Sequence, residues 1–381
     1  MKITIKRTDD QVALVQAMGS NNREEAYEAQ AAVAELIGPV VDEVVNNAPT
    51  VANLFTDLTY QWDDNPSLPL DLFHDITDED YIQVYSQQVA GGLPYSQVFP
   101  AHNELKFSTY NLDSALAFDR KYVRKARLDV VSKTFTRMAQ EILLKQERTS
   151  FNVIATALVL ANSKASAGGS VAAGNHVIRT GANDRFVLND LNKLITLSKR
   201  VNSSWAGGTP VGGPKAGITD LLVSPEMVEQ LRAMAYNPIN TDAAPYASAL
   251  NDSLAAPEAL RNELYKAAGL PQFYGINIME LNELGISQRF NSIFATVNAN
   301  NGSPVPGTFT TADDEIMIGI DRNKDSLIRP VVLDEGNTGK LSILVDDQFS
   351  VRQNKIGYYA KIEEGRICID DNALCGLICG S

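Results

Sequence analysis

Residues 128–161 read LDVVSKTFTRMAQEILLKQERTSFNVIATALVLA. Val131, Phe135, Met138 and Ile142 step by four, three and four, and Phe151, Ile154 and Leu158 repeat the pattern. That is the spacing of one buried face of an α-helix. No glycine or proline interrupts the stretch, so one helix is predicted over 128–161. At 1.5 Å per residue such a rod is about 50 Å long, beyond the usual ~8–20 residues of a globular helix. It needs a large body or a neighbour to cover it.

Charge is segregated in front of this helix. Between Arg23 and Lys106 there is no lysine or arginine, and the gap carries fifteen acids, from Glu24 to Glu104. From Lys106 to Arg148 the sign reverses, with ten bases against five acids. Arg120, Lys121, Arg124, Lys125 and Arg127 fall within eight positions. An acidic arm and a basic patch of this kind can join neighbouring copies of one protein.

Residues 23–47 keep helical spacing through Ala26, Ala29, Val33, Leu36, Ile37, Val40, Val41 and Val44. Gly38-Pro39 is expected to kink or break that helix, and Ala48-Pro49 to end it. Residues 50–105 mix β-prone pieces (50–60 and 81–89) with Pro66, Pro69, Gly91-Gly92, Pro94 and Pro100. Phe55, Tyr60, Trp62, Phe73, Tyr81, Tyr85, Tyr95 and Phe99 recur through them. Two readings stand: an extended loop whose apolar side chains need a partner surface, or an antiparallel hairpin folded onto its own domain.

Residues 106–118 alternate as a strand or two. After the long helix, 163–181 is a Gly/Ala/Ser-rich loop, and α and β elements then alternate. A helix is predicted over 188–200, a Gly/Pro loop over 203–217 and a buried strand over 218–223. Ser224-Pro225-Glu226 starts the next helix, with a hydroxyl cap, proline in the first turn and an acid at the positive end of the dipole. A proline-led helix over 257–268 ends at Gly269, and Pro271 prevents its continuation. Strands are predicted over 273–281, 308–320, 327–333, 340–350, 356–363 and 365–369. No internal repeat is visible.

At 381 residues the chain is expected to form two or three sub-domains. Apolar content of 44% and charged content of 21% are ordinary for a globular protein. A net charge of −13 argues against a basic surface gripping nucleic acid. No apolar run approaches the roughly 20 residues of a membrane span, and no secretory signal is read at the start. Cys368, Cys375 and Cys379 crowd the last fourteen residues. An odd, clustered count reads as reduced thiols and cytoplasmic synthesis rather than a disulfide framework.

No catalytic, metal or cofactor site is read. His74, His102 and His176 belong to no metal-spacing motif, and there is no phosphate loop, GxGxxG, HExxH or GxSxG. Asp321, Asn323 and Asp325 imitate the start of a calcium loop, but Ser326 replaces the turn glycine and Val332 the bidentate glutamate. The stretch reads as a polar turn. The cysteines read as buried apolar residues rather than zinc ligands. Asp63-Asp64, Asp78-Glu79-Asp80 and Asp313-Asp314-Glu315 read as solvated faces.

The order of elements resembles the major capsid protein of tailed bacteriophages, the Hong Kong 97-type α+β fold, over nearly the whole chain. Locally, 220–228 (DLLVSPEMV) is a strand turning into a capped helix, and 268–280 (AGLPQFYGINIME) is a helix end followed by a strand. The resemblance implies an N-terminal arm (1–49), an extended loop (50–105), a peripheral domain with the spine helix (106–185) and an axial domain (186–324). Closing peripheral strands (325–381) follow. It implies self-assembly as pentamers and hexamers into an icosahedral shell around double-stranded DNA, without sequence-specific contact and without enzymatic activity. Implied partners are other copies and a portal protein, with a separate scaffold, if any, and a cement protein left open. The implied location is the virion after synthesis in host cytoplasm.

Some members of the family cross-link a loop lysine to a neighbour's asparagine; residues 50–105 contain no lysine, so no such bond is expected from that loop. In this fold the loop lies over the next subunit. Asp63, Asp64, Asp71, Asp75, Asp78, Glu79 and Asp80 would then face Arg120, Lys121, Arg124, Lys125 and Arg127 of a neighbour, unless each set is solvated or paired within its own subunit. Two other readings remain: an encapsulin-like shell enclosing a cargo enzyme, and a metal-dependent cytoplasmic hydrolase.

Overall fold

The computed structural model describes residues 8–48, 50–61, 67–69, 104–125, 127–164, 176–180, 188–201, 217–233, 272–273, 275–333, 340–346 and 354–380. In chain order they form α1 (Asp9–Ala17), α2 (Arg23–Asn46), β1 (Thr56–Gln61), β2 (Ser67–Pro69), β3 (Glu104–Lys106), β4 (Tyr110–Asp119), α3 (Arg120–Arg124) and α4 (Leu128–Lys164). Next come β5 (Val177–Arg179), α5 (Leu188–Val201), β6 (Asp220–Val223), α6 (Pro225–Ala233), β7 (Gln272–Phe273), β8 (Ile276–Glu280) and α7 (Arg289–Asn300). The last elements are β9 (Glu315–Ile320), β10 (Leu327–Leu333), β11 (Ser342–Asp346), β12 (Lys355–Glu364), β13 (Ile367–Cys368) and β14 (Leu374–Cys379). The fold is α+β, in two compact units.

The first unit comprises Met1–Leu68, Lys106–Ser150 and Ile328–Ile367. Its sheet centres on β12. That strand runs antiparallel to β4 from Tyr110↔Glu364 to Asp119↔Lys355, and antiparallel to β11. β10 meets it at Val331↔Glu364, and β1 lies parallel to β10 from Thr56↔Ile328 to Gln61↔Leu333. Helices α1, α2 and the first part of α4 bury their apolar faces in the same core. Tyr358 is fully buried there, its ring 5.1 Å from Phe135 and 6.1 Å from Phe118.

α2 begins where Asn22 accepts a hydrogen bond from the Glu24 amide at 3.3 Å, with Glu24 and Glu25 at the positive end of the helix. It does not break at Gly38-Pro39 but runs on to Asn46. Proline in a helix interior costs about 3 kcal/mol or more. Val33, Ile37, Val41 and Val45, all buried, offset that by docking on the sheet.

The second unit comprises Pro69–Leu105, Phe151–Leu327 and Cys368–Ser381. Its sheet has the order β5-β14-β9-β6-β8-β7. β6, β9 and β14 are buried at every position, as expected of strands covered on both faces. Leu191 and Leu194 of α5 and Met227 and Leu231 of α6 complete this core. α6 starts as read: Ser224 Oγ accepts from the Met227 amide at 3.2 Å. Phe151 of α4 stacks on Phe290 of α7 at 4.2 Å.

Several expectations change. The single strand over 273–281 is a tight hairpin, β7–β8, with Phe273 paired to Ile276 and Gly275 at φ +75° in the turn. The left-handed backbone there suits glycine. The strand expected over 308–320 begins only at Glu315, because Asp314 accepts from the Thr310 amide at 2.7 Å and turns the chain. α7 was not anticipated. The block 325–381 divides: β14 pairs with β5 and β9 in the second sheet. The division between units also falls inside α4, after Ser150. The helix expected over 257–268 and the β-prone stretch 81–89 lie outside the described residues. A separate two-stranded sheet pairs β2 with β3, so 70–103 run from one strand of this neck to the other.

Candidate assembly surface

The basic cluster sits at the corner where β4 becomes α3. Asp119 caps α3, accepting from the Lys121 amide at 3.1 Å and pairing with the Lys121 ammonium at 3.0 Å. These hydrogen bonds hold the Asp119 carboxyl below its ordinary range and raise the Lys121 ammonium. Lys121 also lies 5.0 Å over the Tyr122 ring.

Arg120 and Arg124 point elsewhere. Arg120 donates to the Ser20 carbonyl; Arg124 donates to the Gly19 carbonyl at 3.0 Å and to Asn21 Oδ1 at 2.5 Å. The two guanidiniums thus hook the corner between α1 and α2. Burial, and then the charge of Arg124, lowers the Arg120 pKa. Lys125 and Arg127 are exposed and pair with no described residue. Of the five bases in the cluster, two are committed inside the chain; Lys121 keeps a local partner at the surface, and Lys125 and Arg127 are open. Asp63, Asp64, Asp71, Asp75, Asp78, Glu79 and Asp80 lie outside the described residues.

The first unit holds a buried ionic network that the sequence reading missed. Glu364 is 0% exposed and Arg329 2%. Glu364 accepts from Arg329 Nε at 2.7 Å, Gln146 Nε2 at 3.0 Å and Arg366 at 3.0 Å. Arg329 also reaches Asp57 of β1 at 3.3 Å, and Lys340 closes on the other Asp57 oxygen. Arg366 donates to the Ala52 carbonyl at 3.3 Å and lies 5.3 Å from the Phe55 ring. Three cations and two carboxylates thus tie β1 to β10, β12 and α4. Burial, with Glu364 second, pushes the Tyr110 phenol up. A guanidinium on a buried strand is costly alone and acceptable when paired and hydrogen-bonded. The arginine inside LIRPVVL (327–333) was the available signal.

Other candidates resolve into structure. Asp321 is buried and accepts from the Asn323 amide at 3.1 Å and the Gly217 amide at 3.4 Å, which makes the calcium-like stretch a polar turn. The three cysteines are free thiols, and burial pushes Cys375 up to about 12. His176 is buried, with Nδ1 2.9 Å from the Leu374 carbonyl; His74 and His102 lie outside the described residues. Glu315 is buried on Ser224 Oγ at 2.8 Å and the Ile286 amide at 3.3 Å, and burial raises its carboxyl. Among the described residues no three His, Cys, Asp or Glu side chains converge to hold a metal. No described helix is long and apolar enough to cross a membrane.

No protein-family model and no curated protein matches the chain. Solved structures do. The capsid of the cyanophage P-SCSP1u is 13% identical, with 86% of each chain covered and a TM-score of 0.48. The capsid of the empty GTA particle is 12% identical, covering 87% of this chain and 90% of that one, with a TM-score of 0.47. The holo-SrpI encapsulin complex from Synechococcus elongatus is 10% identical, covering 86% and 85%, with a TM-score of 0.39. Over most of its length the chain is similar to phage capsid proteins and to an encapsulin.

Proposed function

We propose that this chain is the building block of a closed protein shell, joining as pentamers and hexamers into an icosahedral particle around double-stranded DNA. The observation that carries the reading is the neck. Strands β2 and β3 pair, and the 70–103 segment between them holds five acids, five aromatics and no lysine or arginine. The α3 corner is a cation-rich surface of the first unit. An acidic, aromatic loop and a basic corner on one chain are complementary between copies and repel between like faces. Since Arg120 and Arg124 hold the α1–α2 corner, the bases that meet the loop of a neighbour are Lys121, Lys125 and Arg127. Each exposed pair contributes only about 0.2–1 kcal/mol, but repetition around a closed shell multiplies the effect. A net charge of −13 keeps the lining from adhering to DNA that must later leave.

The roles of 50–105 as loop, of the first unit as peripheral domain and of the second as axial domain belong to this proposal, as do a portal, any scaffold or cement protein, and a virion location. Size-exclusion chromatography and electron microscopy of the purified protein test it. Shells in the void volume with nuclease-protected DNA are expected. Shells holding a co-purifying enzyme instead identify a nanocompartment, and a small oligomer refutes the shell. Reversing Lys125 and Arg127 to glutamate should impair assembly while leaving the monomer folded; normal shells refute the pairing.

A further inference from the structure

Two helices of the first unit bury one face in a shared core and leave the other bare. On α2 the exposed positions include Glu28, Ala32, Glu35, Leu36, Pro39, Val40 and Glu43. On α4 they include Lys133, Arg137, Gln140, Glu141, Leu144 and Lys145. Counted from Glu28 and from Lys133, the shared offsets are 0, 4, 7, 8, 11 and 12. At 100° per residue each set is a stripe about 140° wide, and over these offsets each is about 18 Å long.

The stripes match in shape and oppose in charge. α2 has no base after Arg23, and Glu28, Glu35 and Glu43 flank Leu36 and Val40, which are 54% and 45% exposed. On α4, Lys145 adjoins Leu144, which is 38% exposed, and Lys133 lies about three turns before it on the same stripe. Arg137 is held by Glu141 at 3.0 Å, whereas Lys133 and Lys145 have no described partner. Proline at 39 also leaves the Glu35 carbonyl without its i+4 amide donor, adding an acceptor to the acidic stripe. Both helices turn their other faces into the one core, so the two stripes are separate surfaces of the first unit.

We propose that the outer stripe of α2 in one copy docks on the outer stripe of α4 in a second copy, with Leu144 seated between Leu36 and Val40 and the glutamates facing Lys133 and Lys145. Two different surfaces in contact make a heterologous interface, which closes into rings or runs on as a chain. The proposal extends the shell reading and uses none of the bases assigned there to the loop.

The test is charge swapping. Glu35→Lys with Glu43→Lys, and separately Lys133→Glu with Lys145→Glu, should each raise the protein concentration needed for assembly by about tenfold, because attraction becomes repulsion. All four substitutions together should restore assembly. Sedimentation velocity reads the oligomers, and circular dichroism checks the fold. If a reversal variant fails to fold, Glu35→Gln with Glu43→Gln or Lys133→Gln with Lys145→Gln replaces it, and weakened assembly is again expected. Wild-type shells that persist in either single-side variant, or a fourfold variant that stays dissociated, overturn the docking and leave the shell reading standing. A wild type that forms only small oligomers, lost on reversal and regained on swapping, supports the docking and overturns the shell. A wild type monomeric at every concentration overturns both.

Discussion

Replacing Glu364 with glutamine keeps the shape of the side chain and removes one charge from the centre of the ionic network. Glu364 is 0% exposed and accepts from Arg329, Arg366 and Gln146 at 2.7–3.0 Å. In the Glu364→Gln protein, Arg329 and Lys340 keep only Asp57, whose side chain is 30% exposed, and Arg366 keeps no carboxylate among the described residues. Breaking a buried ion pair by removing one partner costs about 3–5 kcal/mol, because the remaining charge stays buried. The two units make a single unfolding midpoint a poor measure of this loss. Native-state hydrogen exchange read by mass spectrometry separates them. Peptides over β1, β10 and β12 should exchange about a hundredfold to several thousandfold faster, at ~1.4 kcal/mol per factor of ten, while β6 and β9 stay protected. Replacing Glu364, Arg329 and Arg366 together by leucine or methionine should recover much of the protection, since no charge is then stranded. A Glu364→Gln protein with unchanged exchange in β1 and β10 would refute the account of how β1 is held to the sheet.

Three further predictions follow from the geometry. Pro39→Ala restores an amide donor for the Glu35 carbonyl, and it should raise the thermal stability of the first unit by about 1–3 kcal/mol; a loss of stability would show that α2 depends on its proline. Cys375 should resist a thiol reagent in the native protein at pH 8, while half-buried Cys368 reacts first. The raised Cys375 value favours folding fully below the ordinary thiol value of 9.0 and less as pH rises toward about 12; equal reaction of all three thiols would contradict the buried placement. For Glu315, raised by burial, the sign is similar: stability is greatest at low pH and falls as pH climbs above the ordinary 4.5. Glu315→Gln should flatten that slope in thermal melts across pH 4–8, and an unchanged slope would assign it to another group.

α4 and the start of α6 were legible because their signals are local. A three-four repeat and a Ser-Pro-Glu cap need no knowledge of the rest of the chain. α7 was missed because RFNSIFATVNAN is rich in weak helix formers; its helix is held by tertiary contacts, with Phe290 on Phe151 and Phe294 on Phe309. The β7–β8 hairpin depends on the single glycine in its turn, which an alternating pattern absorbs unnoticed. The basic cluster was visible as charge, but the acceptors of Arg120 and Arg124 are carbonyls about a hundred residues earlier. The network around Glu364 pairs Arg329 with Asp57 at a separation of 272 residues. Such partners leave no mark on local spacing, so the surface of the candidate site was readable and its foundation was not.

The pairing of β4 with β12 sets a clock for the making of this protein. Asp119 is translated 236 positions before its partner Lys355 (355 − 119). At about 5–20 residues per second, the ribosome takes roughly 10–50 s to bridge that gap. During that interval β4 lacks its sheet partner, and α1, α2 and the first turns of α4 have no sheet on which to close. The first unit therefore completes only after the long middle segment of the second, Phe151–Leu327, has been synthesised, so a chain stalled before β12 cannot finish the first unit. Synthesis through β12 becomes a checkpoint built into the order of the strands.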